Sequence, residues 1–246
     1  MHNDEVTGLS GLDRGSRAEE VVRFYLKLQG FFTLVNLALH KDRPSRDLMT
    51  EADLLAMRLE YSCEHIDKRR LQDCEKLTSV IDAEGTRIFL IAEIKSSVCA
   101  INEAWDYRCE QSVALQNYHY AIKKMGFRKV HDAKQVAMTV AEKGRWRDEN
   151  TVVQFICFGK KRSPDLERSQ ILFSDIATFL SERFHNLPLK IPERENALTA
   201  WGEFGYGAAR FFHEKFGHKP KDNKEFVAYS VDKAIENYID KGHFQA

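Results

Sequence analysis

Apolar residues in "SRAEEVVRFYLKLQG" (16–30) recur at helical spacing: Val21, Val22, Tyr25, Leu26 and Leu28 form one stripe. Ser16 has the chemistry of an N-cap, Glu19 stands at the third helical position to complete a capping box, and Gly30 is the stop signal. "FFTLVNLAL" (31–39) then predicts a strand, followed by a polar loop carrying Pro44. Two further strands are predicted over "ADLLAMRLEY" (52–61) and over 87–96. Between them, residues 62–86 are charged and aperiodic, as an insertion between neighbouring strands would be. A long helix is expected over 101–124, ending at Gly126, and a shorter one over 133–144. "TVVQFICFG" (151–159) is rich in β-branched and aromatic residues and reads as a buried strand. A helix over 169–184 and a mostly helical tail with an aromatic-rich stretch at 201–216 complete the pattern.

One strand breaks its own rule. "RIFLIAEIKSS" (87–97) is apolar enough to be buried on both faces, yet it carries Glu93 and Lys95 two residues apart. In a strand that spacing puts both side chains on one face. An unpaired buried charge is strongly unfavourable, and a paired one roughly breaks even. The pair therefore calls for a purpose at the strand's end.

Composition narrows the classes. Lysine and arginine balance aspartate and glutamate at 37 each, so nucleic-acid contact would have to come from local patches. The basic clusters are Lys68–Arg70, Lys123–Lys129 and Lys160–Arg162, and only a position beside a reactive site would make them phosphate contacts. No apolar run reaches the roughly 18 residues of a membrane span. The opening "MHNDEVTGLSGLDRGS" has neither the basic nor the apolar region of a signal peptide. Five cysteines without a CxxC pair suit a reducing compartment, so a cytoplasmic location is expected. Cys63, His65 and Cys74 suggest no fourth ligand, and no zinc site is expected.

Asp53 begins the strand before that of Glu93. Two carboxylates at the ends of adjacent strands can share one cation, and oxygen-only ligation suits Mg²⁺. Lys95 beside such an ion could stabilise developing negative charge or help to deprotonate a water.

Taken in order, a helix glutamate, an aspartate and a strand-borne Glu-x-Lys resemble the PD-(D/E)xK nuclease superfamily. "RGSRAEEVVRFYLKLQGFF" is similar to the opening of archaeal Holliday-junction resolvases, and Gln116 and Tyr120 in "QNYHY" resemble the QxxxY element of RecB-like members. The aspartate follows Ala52 rather than the family's proline. The resemblance spans roughly 14–185 and implies a restriction-endonuclease-like α/β core, a central mixed sheet flanked by helices. It implies a nuclease-like domain over 1–186, with a helical extension over 187–246 packed on it. It further implies Mg²⁺-dependent hydrolysis of DNA phosphodiester bonds, with Mn²⁺ able to substitute. Asp53, Glu93 and the Ile94 carbonyl would hold the metal, and Glu19, a further candidate ligand, would take part in catalysis by orienting a metal-bound water or a second ion. Lys95 would act in catalysis, while Gln116 and Tyr120 would position substrate. A homodimer is allowed for.

Each residue also has a plain structural role available. Glu19 could be only a capping acid, Glu93 and Lys95 an ion pair, and Gln116 and Tyr120 neighbours on a helix face. Glu20, further round the helix, is the less favoured alternative to Glu19. The aromatic stretch fits a core or a dimer surface better than a base-stacking platform. A member of the fold that has lost catalysis and serves as a binding module is the alternative function.

Overall fold

A computed structural model describes residues 12–40, 48–62, 65–66, 69–70, 72–81, 86–127, 133–186, 194–216 and 224–244. The protein is α/β, with helices around a mixed six-stranded sheet. Its chain divides into two compact units, one of residues 25–172 and one combining 1–24 with 173–246.

Helix α1 runs Arg14–Lys27. Its cap is Asp13 rather than Ser16: the Asp13 carboxylate accepts the Ser16 N–H at 2.8 Å, and that bond holds its pKa below the usual range. Ser16 thus occupies the third helical position, and the expected capping box with Glu19 does not form. At the other end Gly30, at φ +79°, closes a Schellman motif: Phe31 N–H donates to Leu26 and Gly30 N–H to Lys27.

The larger unit holds the sheet. Strand β1 (Phe32–His40) pairs antiparallel with β2 (Leu48–Arg58). The expected insertion forms a two-residue hairpin, β3 (His65–Ile66) with β4 (Arg69–Arg70), and a short helix α2 (Glu75–Ile81). Pro44, Cys63 and Lys68 lie outside the described residues. β5 (Arg87–Val98) then pairs antiparallel with β2, from Arg58↔Ile88 to Leu54↔Ala92.

The helix expected from residue 101 begins only at Gln111, as α3 (Gln111–Lys124). Side chains upstream satisfy the backbone locally instead. Asn102 accepts the Ala104 N–H and Asp106 the Arg108 N–H, which holds residues 103–105 in a single 3₁₀ turn. Helix α4 (Ala133–Lys143) follows, then β6 (Arg145–Arg147) and β7 (Thr151–Lys161).

β7 lies parallel to β5, on the side away from β2. Its far edge is shared: β6 pairs antiparallel with its first half and β8 (Ser169–Leu172) parallel with its second. Residues 169–172 were expected to be helical. The Gln170 side chain instead accepts the Ser163 N–H at 2.8 Å and donates to the Ser163 carbonyl at 2.9 Å, which fixes the turn into β8.

Strand alternation sorts the faces. Leu55, Phe89, Ile91, Val153, Phe155 and Cys157 pack under α3 and α4. On the opposite face Tyr25, near the end of α1, meets Phe158 edge-on at 6.3 Å.

The second unit contains the first turns of α1 with α5 (Phe173–Asn186), α6 (Arg194–Phe216) and α7 (Lys224–Lys241). α5 is thus grouped with α6, α7 and the first turns of α1. Gly202, at φ +75°, kinks α6, and the Glu20 carboxylate accepts the Phe204 N–H at 3.2 Å just beyond the kink. Glu20 also accepts the Tyr238 hydroxyl. This residue is a cap for a neighbouring helix. Phe204 is the hub of the unit's core, edge-on to Phe24 at 5.6 Å and to Tyr238 at 5.1 Å. Within the aromatic stretch Phe204 and Phe212 are core, whereas Tyr206, Phe211 and Phe216 are half-buried.

Phe204→Ala would open a large cavity in this small unit. Its expected cost is about 3–5 kcal/mol of stability, seen as a lower denaturant midpoint, while Phe211→Ala at the rim should cost less.

Candidate functional site

Beyond Leu54↔Ala92 the two central strands part. β2 stays with β1, which pairs with Ala52, Glu51 and Thr50, and no longer bonds to β5. The Asp53 carboxylate takes the place of the missing strand: its Oδ2 accepts the Ile94 N–H at 2.8 Å. Extending the register by one step sets Asp53 opposite Glu93, so both side chains leave the same face. In an extended strand the N–H and C=O of one residue point to the same side, so the Ile94 carbonyl also faces the gap that Asp53 enters.

Lys95 closes the group. Its Nζ lies 2.5 Å from Glu93 Oε1. Glu93 is almost completely enclosed, at 2% exposure, whereas the Lys95 side chain is 32% exposed. An enclosed acid and a more exposed ammonium thus sit together at the sheet's end.

The electrostatics follow from enclosure. Burial, reinforced by the Asp53 carboxylate, pushes Glu93 up to about 7 against the pull of Lys95. Asp53 is raised as well, first by burial, although the Ile94 amide and Lys95 hold it back. Burial disfavours the Lys95 ammonium, but Glu93 and then Asp53 outweigh it and leave its pKa above the ordinary value. Two acids thus compete for one cation. A further positive charge placed between them would relieve both.

The strand after the site is also shaped for it. Register shifts between Lys95 and Val98, so β5 bulges immediately beyond the lysine. This bulge crosses Gly159 of β7 closely: a Cβ there would meet Cys99 N and Sγ at 2.9 Å and Ser97 O at 3.1 Å. Gly159 is a close-approach residue that the sequence flagged only as a glycine ending an apolar strand. Cys157 was not anticipated either. It pairs with Glu93 across the parallel ladder, and its thiol is raised first by burial and then by Cys99 and Glu93. Asn102 is a third addition, its main-chain N–H helping to hold the Glu93 carboxylate.

Other expected residues are placed differently. Gln116 is exposed on the solvent side of α3, whose sheet-facing side is Ala114, Asn117, Tyr118, Ala121 and Ile122. Tyr120 is half-buried against the core, with the Lys123 ammonium 6.0 Å from its ring centre. Glu19 is half-buried on α1, in the unit of residues 1–24 and 173–246. Lys160 and Lys161 end β7 at the same sheet end as Glu93, and Arg162 follows.

Among the described residues no group of three or more histidine, cysteine, aspartate or glutamate side chains could hold a metal. The donor set at the sheet end is two carboxylates and a main-chain carbonyl. Such oxygen donors fit Mg²⁺, which keeps several waters and needs only one or two carboxylates. No helix among the described residues is long and apolar enough to cross a membrane. No protein-family model, curated protein or solved structure matches the chain.

A raised carboxylate makes a signed prediction. The contribution of Glu93 to stability is complete below its ordinary 4.5 and is lost as pH rises through about 7. In EDTA, wild-type stability should fall by on the order of 3 kcal/mol across that window relative to Glu93→Gln, which has no proton to lose. Denaturant titrations at several pH values check this. Parallel pH profiles would show that Glu93 is not the titrating acid. A second prediction concerns the bulge. Gly159→Ala should cost about 1–3 kcal/mol by forcing Ser97–Cys99 away, whereas Gly126→Ala meets no side chain and carries only its backbone strain.

Proposed function

We propose that this protein is a metal-dependent nuclease that hydrolyses DNA phosphodiester bonds, built on a restriction-endonuclease-like core. The observation that carries the reading is the meeting of Asp53, Glu93 and Lys95 on one sheet face where β2 leaves β5. The element order supports it: α1, then β1, β2 and β5 paired antiparallel in turn, then α3 and α4, then β7 parallel to β5. The resemblance to the PD-(D/E)xK superfamily implies a central mixed sheet flanked by helices, and the observed sheet is mixed.

In this reading Asp53, Glu93 and the Ile94 carbonyl hold Mg²⁺, or Mn²⁺ in its place. When bound, such an ion activates water and offsets charge on the phosphate. Asp53 is oriented for this by its bond from the Ile94 amide, which fixes one oxygen and the strand edge together. Glu93 gives up the proton that its burial favours, so cation binding should strengthen as pH rises through about 7. Lys95 remains an ammonium on the more exposed side of the site, where it stabilises negative charge developing on a phosphate oxygen. Gln116, exposed on α3, and Tyr120 are the candidates to position substrate. Glu19 belongs to the other unit, and the ligand set proposed here rests on Asp53, Glu93 and Ile94 alone.

The test is incubation with plasmid, linear and branched DNA in Mg²⁺, Mn²⁺ or EDTA. Cleavage is expected with either metal and should stop in EDTA. Asp53→Asn keeps an acceptor for the Ile94 amide but weakens the ligand, and Lys95→Ala removes the ammonium. Each should slow cleavage by about 10²-fold or more while circular dichroism shows a folded protein. Full activity in either variant would place the reaction elsewhere. Binding without cleavage in both metals would favour the non-catalytic module.

A further inference from the structure

Four of the exposed large apolar side chains in the unit of residues 25–172 gather at one corner of the sheet. Phe32 is 63% exposed, Leu34 55%, Leu59 47% and Tyr61 80%. Phe32 and Leu34 project from β1 on the face of their register partners Met57 and Leu55. Leu59 and Tyr61 follow the end of β2, and Ser62 brings that turn beside Gly30, two residues before β1. Tyr61 is held at φ 56°, a conformation bulky residues rarely adopt, with its ring in solvent.

β1 is also the last strand on its side of the sheet, with no further strand partner among the described residues. Natural edge strands are blunted by charge, proline or a bulge. Residues 31–39, "FFTLVNLAL", contain no charge, no proline and no glycine, and the register shifts only at Leu39/His40. Every second residue of such an edge presents an unused N–H and C=O outward.

We propose that this edge and its apolar corner form the interface with a second copy of the same chain, the two β1 strands pairing antiparallel about a twofold axis. An antiparallel strand edge is complementary to itself, so a copy satisfies its donors and acceptors without a separately evolved partner. The absence of charge from 31–39 means that two copies meet without like-charge repulsion. The four side chains present on the order of 400 Å² of largely apolar surface. Adding the strand backbones and their flanks approaches the roughly 800 Å² per partner of a standard interface.

Sedimentation equilibrium of the full chain, from low to high micromolar concentration, is the test. Wild type is expected to be a dimer, with concentration-dependent hydrogen-exchange protection in residues 32–39. A Phe32→Lys, Leu34→Lys double variant should weaken association by about tenfold or more, since it replaces two exposed apolar side chains and brings four charges into an otherwise uncharged strand pair. Tyr61→Lys, outside the strand pair, should weaken it less and guards against a folding defect in the double variant. A wild type that stays monomeric throughout overturns the proposal. So does a dimer that the double variant leaves unchanged, because its contact must lie elsewhere.

Discussion

The bond from the Ile94 amide to the Asp53 carboxylate is the constraint on which the candidate site depends. A strand pair normally ends because both backbones run out of partners into solvent. Here β2 turns away from β5 while both strands continue, and one side chain satisfies the amide left behind. An unmet buried N–H would cost about 1–3 kcal/mol, so Asp53 both permits the divergence and fixes its own position. The gap so created is lined by oxygen: two carboxylates and the main-chain edge of Ile94.

Enclosure then gives that gap its chemistry. Glu93 lies deep, and Asp53 shares its surroundings, so neither carboxylate ionises as readily as it would in water. Lys95 compensates in part, but it is more exposed and sits to one side of the pair. The bulge beyond Lys95, admitted by the missing side chain at Gly159, turns the chain over β7 directly after the lysine. Backbone geometry and charge thus act on the same few residues.

Much of this was legible in the sequence because burial and charge conflict there. Glu93 and Lys95 stood out as polar interruptions of an apolar strand, and Asp53 as an acid at the start of the strand before it. Pairing of β2 with β5 across the insertion was inferred and is observed. Cap chemistry was less legible. Asp13 and Ser16 are both good N-caps three residues apart, and only the fold shows that Asp13 is used. The late start of α3 depends on Asn102 and Asp106 bonding nearby amides, a competition that apolar periodicity does not report. β6 and β8 are three and four residues long and exist because β7 offers them an edge. Glu20, set aside beside Glu19, owes its role to a kink at Gly202 far along the chain.

The central claim is that Asp53 and Glu93 form one divalent-cation site. Electron paramagnetic resonance of Mn²⁺ titrated into the wild-type protein tests it without relying on any substrate. Saturable loss of the free-ion signal is expected at one tight ion per chain, stronger at pH 8 than at pH 6, and lost in Glu93→Gln. Binding that Glu93→Gln leaves intact, or no binding at either pH, would contradict it.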